Sequence, residues 1–310
     1  MKTTTIGPSP QQAPRIIIGC MRINEMTNKD LETLINTAVE AGYNMFDHAD
    51  IYGGNGKCEQ LFGNALKAMP IKREDIILQS KCGICKESPT AKWYDFSKEH
   101  IIKQVEQSLQ NLHTDYLDVL LLHRPDILAD PEVVAETFEI LNKSGKVKHF
   151  GFSNATAQLF DFFQSYIEQP LVANQVQMGL GHTYAIDSLM YSNSIRMEAT
   201  QKDGNILLNA KQNKINIQAW SPFQYGMFEG IFIDHPKFPK LNEVLDHWAR
   251  LYNVDKSGIA TAWLLRLDPK LQVITGTTKP ERLKKIFAGN EINLNRKEWY
   301  SLYFSEHVPL

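Results

Sequence analysis

Long apolar runs are missing from this chain. The first apolar stretch, Ile16-Ile17-Ile18, stops at Gly19. No segment approaches the ~18 apolar residues of a membrane-spanning helix, and the polar opening MKTTTIGPSPQQAP has no secretory apolar core. Cysteine is scarce as well. Cys20, Cys58, Cys82 and Cys85 are too few for a secreted disulfide framework and suit a reducing cytosol. Neither sign of charge is in excess: 33 basic against 35 acidic side chains give a formal net charge of −2 over 310 residues. Nothing is left over to neutralise nucleic-acid phosphates. Disorder is excluded by the opposite measure, because 43% of the residues are hydrophobic. The expectation is a cytoplasmic protein with neither a nucleic-acid nor a membrane partner. Its oligomeric state is undetermined by these residues.

One motif is conspicuously lacking. A doubly wound open sheet would announce a dinucleotide site by GxGxxG after its first strand, yet the first apolar run here continues Gly19-Cys20-Met21-Arg22-Ile23, and the GGxG at Gly53 to Gly56 lacks the third glycine. What is present is an alternation. Short apolar runs at 15–20, 44–49, 75–82, 116–124, 149–154, 171–178, 215–222 and 271–277 are separated by amphipathic stretches such as Asp30 to Ala41 and Ser97 to Leu112. Runs apolar on both faces, such as Val119-Leu120-Leu121-Leu122, fit parallel strands covered on each side. Eight repeats of strand and helix predict a single-domain α/β fold, a (β/α)8 TIM barrel over 15–310, preceded by a flexible N-terminal segment over 1–14. The long segments Gly83 to Phe96, Gly179 to Thr200 and Phe223 to Phe238 are expected to build the mouth of a site.

An ionisable residue at the C-terminal end of a barrel strand reads as chemistry, because the interior is otherwise packed. Asp47, Lys81 and His123 end three successive strands, and Tyr52 follows in the adjoining loop before Gly53 and Gly54. Period two places Ile77, Gln79 and Lys81 on one side, and Val119, Leu121 and His123 on one side. The set is chemically sensible in an apolar setting. An ammonium beside a phenol would lower its pKa from ~10, a carboxylate would keep a buried lysine charged, and a histidine would hydrogen-bond a substrate oxygen.

FDHADIYGG at 46–54, QSKCG at 79–83, LLLHRPD at 120–126, GFSN at 151–154, NQVQ at 174–177, QAWSP at 218–222 and ITGTTKPERL at 274–283 together resemble the aldo-keto reductase superfamily, in its branch with DHADIYG. The resemblance implies an NADP(H)-dependent oxidoreductase reducing a small-molecule carbonyl substrate, with Tyr52 as general acid/base assisted by Lys81, Asp47 and His123. It also implies a cofactor site. Ser153, Asn154 and Gln177 would bond the nicotinamide carboxamide, Trp220 would stack on the ring, and Ser221, Pro222 and Phe223 would form the pyrophosphate turn. Gly276, Thr277 and Thr278 lead into a helix whose N-terminus suits phosphate, with Lys279 and Arg282 pointing to the 2′-phosphate. This sequence departs from many members of the family at Lys285-Ile286, where they have Glu-Asn. Met21, Trp93 and Tyr94 are candidate substrate contacts on the mouth loops.

No metal is required by this chemistry. Cys82 and Cys85 have CxxC spacing, but no second CxxC or HxxxH supplies the four ligands of a structural zinc. A metal-dependent barrel hydrolase would want HxH at the end of strand one, where the chain has Gly19-Cys20-Met21. The other reading is a non-catalytic NADP(H)-binding regulatory or sensor subunit. Relatives of that kind tend to lose the histidine that is present here as His123.

Overall fold

Eight parallel strands close into a barrel in chain order: β1 Ile16–Gly19, β2 Met45–Asp47, β3 Ile77–Cys82, β4 Leu117–Leu122, β5 Val147–Ser153, β6 Leu171–Gln177, β7 Asn216–Trp220 and β8 Gln272–Thr275, with β8 pairing back onto β1. The computed structural model describes the chain except residues 89–90, 196, 198–199, 201–203 and 307–310. Each strand overlaps one of the eight apolar runs. β3 and β4 are buried at every position, which is why their sequences do not alternate: helices cover one face and the barrel interior the other.

The helices begin where the sequence supplies caps. Thr27 accepts from the Asp30 amide at the start of Asn28–Glu40, Ser97 caps Lys98–Leu112, and Asp130 precedes Pro131–Lys143. The lower barrel is filled by Ile17, Met45, Ile77, Val119, Leu121, Val172, Ala173 and Ile274. Ile77, Val119 and Leu121, which period two puts on the sides of Lys81 and His123, belong to this inner cluster.

The first fourteen residues, expected to be a flexible segment, instead form an antiparallel hairpin, Thr3–Thr5 against Gln12–Pro14. It closes the bottom of the barrel. Ile6 and Ala13 are buried against the inner apolar cluster, the Gly7 amide donates to Asn216 Oδ1 at 2.5 Å, and Gln272 Nε2 donates to the Pro14 carbonyl at 2.8 Å. Gly7 has φ +51°, and a Cβ there would lie 2.7 Å from Val172 Cα, so only glycine fits. Polar composition misled the reading: a few apolar residues on a short hairpin suffice to plug an open end.

The described parts of the long segments follow the C-terminal ends of β3, β6 and β7. Ile84–Lys86 pairs with Lys92–Tyr94 after β3, Gln224–Tyr225 pairs with Gly230–Ile231 after β7, and Tyr184–Met190 is a short helix after β6. Among the described residues no helix is long and apolar enough to cross a membrane.

Candidate active site

Asp47 is the last residue of β2, and the register pairs it with Gln79, two positions below Lys81 on β3. His123 follows β4, its amide donating to the Cys82 carbonyl at 2.9 Å. Between β2 and the next helix the chain turns over the rim: the Tyr52 amide donates to the Ala49 carbonyl, and Gly53 and Gly54 take φ of +70° and +82°. The four residues named from the sequence thus meet at one end of the barrel. The rings of Tyr52 and His123 are edge-on with centroids 6.0 Å apart, and Lys81 Nζ lies 4.9 Å from the Tyr52 ring centre.

Lys81 is 1% exposed. Its ammonium donates to both Asp47 carboxylate oxygens and to the His48 carbonyl, each at 2.7 Å. Three donors therefore meet three acceptors. Beneath them the setting is polar, which corrects the expected apolar surroundings. Gln79 Nε2 and Gln175 Nε2 donate to Asp47 Oδ1 at 2.6 and 2.9 Å and also to Gln218 Oε1, while Gln218 Nε2 donates to Gln79 and Gln272. This glutamine floor, drawn from β3, β6, β7 and β8, was missed. Its signal was available in the phase: Gln79 shares a face with Lys81.

The expected lowering of the Tyr52 pKa by Lys81 is not what the geometry gives. Burial, and next the charge of Asp47, hold the phenol well above its ordinary value. The Asp47 carboxylate that holds Lys81 acts on the phenol in the opposite sense to the ammonium. Burial lowers Lys81 itself, opposed by Asp47. His123 is held well below the usual histidine value by burial, then by Lys81 and Arg124, so its imidazole is neutral. Its Nδ1 is buried without a partner. Behind this set, the Asp50 carboxyl is pushed up to about 8 by burial and by Glu59, and its Oδ1 has no partner.

A cleft of about 760 Å³ runs from these residues across the barrel mouth to β8. Ser153, Asn154, Trp220, Ser221, Pro222 and Phe223 line it, as do Gly276, Thr277, Thr278, Lys279 and Arg282. They are tied together. Trp220 Nε1 donates to Asn154 Oδ1 at 3.1 Å, Asn154 Nδ2 donates to the His123 carbonyl at 3.1 Å, and Ser153 Oγ donates to the Gln175 carbonyl at 2.9 Å. Gln177 must be corrected. It lies at the end of β6, where its amide donates to the Gly226 carbonyl at 2.7 Å and does not line the cleft, whereas Gln175, two residues deeper, does.

The far end of the cleft fits a phosphate-bearing group. Lys279 leads into helix Pro280–Ala288 without a capping side chain, so the positive end of the helix dipole is left for an anion. The buried Thr275 hydroxyl has no partner, and nothing lies within 4 Å of a Cβ placed on Gly276. Lys285 and Ile286 also line this end, Lys285 Nζ lying 3.1 Å from Asp255 Oδ2.

At the other end, Met21 lines the cleft as expected. Trp93 and Tyr94 do not: they sit on the exposed hairpin strand, and Lys92 and Ile84 of the same hairpin face the cleft instead. A two-residue period puts neighbours on opposite sides, so the aromatic pair could not both point inward. Phe228 stacks on Trp220 with centroids 6.0 Å apart. Cys82 is buried, and Cys85 lies with Asp95 and His100, their ligand atoms within 4.8 Å of one another.

A closed parallel barrel with a buried lysine–aspartate pair, a tyrosine and a histidine over one end of a long cleft defines the class as a barrel oxidoreductase. The chain belongs to the Aldo/keto reductase family, which it matches over residues 15–303. It is 36% identical over 301 residues to the uncharacterized oxidoreductase YcsN of Bacillus subtilis (strain 168), covering 94% of each chain. It is 32% identical over 298 residues to the 6-dehydroglucose reductase of Agrobacterium fabrum, covering 93% of each. Among solved structures, the aldo/keto reductase from Klebsiella pneumoniae in complex with NADP and acetate superposes with a TM-score of 0.75 at 21% identity, covering 100% of this chain and 97% of that one.

Proposed function

We propose that this chain reduces aldehydes or ketones to alcohols with NADP(H). The observation that carries the proposal is the convergence, at one end of one cleft, of a phenol, a neutral imidazole and a lysine held by a carboxylate. In the direction of reduction Tyr52 gives its proton to the carbonyl oxygen, and the raised pKa keeps that proton in place until charge develops. His123, uncharged, donates a hydrogen bond to the same oxygen and fixes its direction. Lys81, anchored by Asp47 and the glutamine floor, supplies a fixed positive charge beneath the reacting oxygen.

The chemistry supplied by the bound nicotinamide is hydride delivery to the carbonyl carbon. Ser153, Asn154 and Gln175 are the polar groups suited to its carboxamide and Trp220 to its ring. Ser221, Pro222 and Phe223 with Gly276, Thr277 and Thr278 suit the pyrophosphate, and Lys279 and Arg282 the 2′-phosphate. A cytosolic location goes with this reading, on the four free cysteines.

The test is NADPH consumption with a panel of small aldehydes, and the same assay on Tyr52→Phe. The variant should retain NADPH binding and lose about 10²- to 10⁴-fold in rate, the range of general acid catalysis. Tight NADPH binding with no turnover across the panel would instead favour a sensor subunit.

A further inference from the structure

The catalytic end of the cleft has an uncompensated positive charge. Arg22, Lys92 and Arg124 line it beside Tyr52 and His123. Among the described residues, the carboxylate that lines it there is Asp47, bound by Lys81 at 2.7 Å. The other acids that line the cleft are each matched: Asp234 by Lys256 at 2.5 Å, and Asp255 by Lys285 at 3.1 Å. Arg22, Lys92 and Arg124 make no ion pair among the described residues. Lys92 Nζ lies over the Tyr94 ring, 5.6 Å from its centre.

Arg124 is the informative member. It follows the catalytic histidine directly, it is half-buried, and the group that opposes the desolvation of its guanidinium is the Tyr94 phenol, not a carboxylate. A partly buried cation left without a counter-ion is costly unless a ligand provides one. Guanidinium groups bind carboxylate and phosphate through paired, planar hydrogen bonds.

We propose that the carbonyl substrate of this chain is an anion, bearing a carboxylate that Arg124, with Lys92 and Arg22, holds while the carbonyl oxygen meets Tyr52 and His123. This rests on the reductase reading and adds the substrate class to it. The same cations favour the negative charge that builds on the reacting oxygen, but only a charged substituent lets them discriminate among substrates at binding.

The experiment compares 4-formylbenzoate with its methyl ester as substrates for NADPH oxidation. The carboxylate is the weaker electron-withdrawing group, so intrinsic reactivity favours the ester, and any preference for the acid must come from binding. The acid should have a kcat/KM about tenfold higher, equivalent to ~1.4 kcal/mol, expressed mainly in KM and shrinking as salt is raised. Arg124→Gln should bring the acid-to-ester ratio close to one, and Lys92→Gln should lower it by less.

If both compounds are reduced at equal efficiency, or the ester is preferred, the anionic-substrate proposal is wrong while the reductase reading stands. If the wild-type preference for the acid survives in both variants, the assigned cations do not hold the carboxylate and the proposal also fails. If neither compound nor any neutral aldehyde is reduced, the reductase reading itself fails and takes this proposal with it.

Discussion

Replacing Asp47 by Asn is the most revealing perturbation of the site. In the native protein the Lys81 ammonium, 1% exposed, has one charged partner and one backbone carbonyl. The substitution leaves a buried cation facing neutral oxygens, a change that costs about 3–5 kcal/mol in measured cases. With roughly 2–4 °C per kcal/mol for chains of somewhat smaller size, the midpoint of thermal unfolding should fall by roughly 6–20 °C at pH 7.

The sign of the pH dependence follows. Burial lowers the folded-state pKa of Lys81, and loss of Asp47 removes the main opposing influence. The unfolded chain binds the proton more readily, so stability rises with pH as the folded-state value is passed, up to the unfolded value near ~10.4. The variant should therefore recover part of its deficit between neutral pH and pH ~10. The double variant Asp47→Asn with Lys81→Met removes the charge itself and should restore most of the lost stability without restoring activity. Calorimetry or thermal circular dichroism from pH 6 to 10 decides the matter. An unchanged midpoint at pH 7, a deficit that grows with pH, or a double variant no more stable than the single one would refute the reasoning.

Two further outcomes test other parts of the site. Lys279→Ala with Arg282→Ala should weaken NADPH binding by about tenfold or more, the scale of one lost charge-assisted hydrogen bond, and leave NADH binding nearly unchanged, as read by fluorescence titration. Equal losses for both dinucleotides would remove the 2′-phosphate role. Asp50, with a carboxyl pushed up to about 8, favours the protonated folded state, so its contribution is complete below the ordinary carboxylate range and is lost as pH rises through 8. Asp50→Asn should thus raise the unfolding midpoint at pH 8–9 by roughly 2–4 °C, what ~1 kcal/mol gives; a lower midpoint would show that the charged carboxylate is held by the fold.

The positions of Asp47, Lys81 and His123 were legible because a barrel strand has a simple rule: its carboxyl end opens onto the mouth, and side chains alternate between inside and outside. The helix N-terminus after β8 was legible for a similar reason, as proline and threonine punctuate the chain there. Trp93 and Tyr94 were misassigned because they lie in a hairpin whose register no local pattern gives. Gln177 was chosen over Gln175 because depth along a strand is invisible in the one-dimensional string.

The chain of residues by itself determined the eight-fold alternation, and with it the gathering of acid, base and phenol at one rim. Burial periodicity is a local property, so it can be read locally. Only the tertiary structure decided where the Lys81 protons go, which amides reach Asp47, and that the first fourteen residues stopper the barrel. Those outcomes depend on side chains from β2, β3, β6, β7 and β8 meeting across a closed circle, and on how many acceptors each buried donor finds there. Lys81 lies beside the phenol, yet burial and the Asp47 carboxylate prevail there, and no spacing of letters tells which of these influences wins.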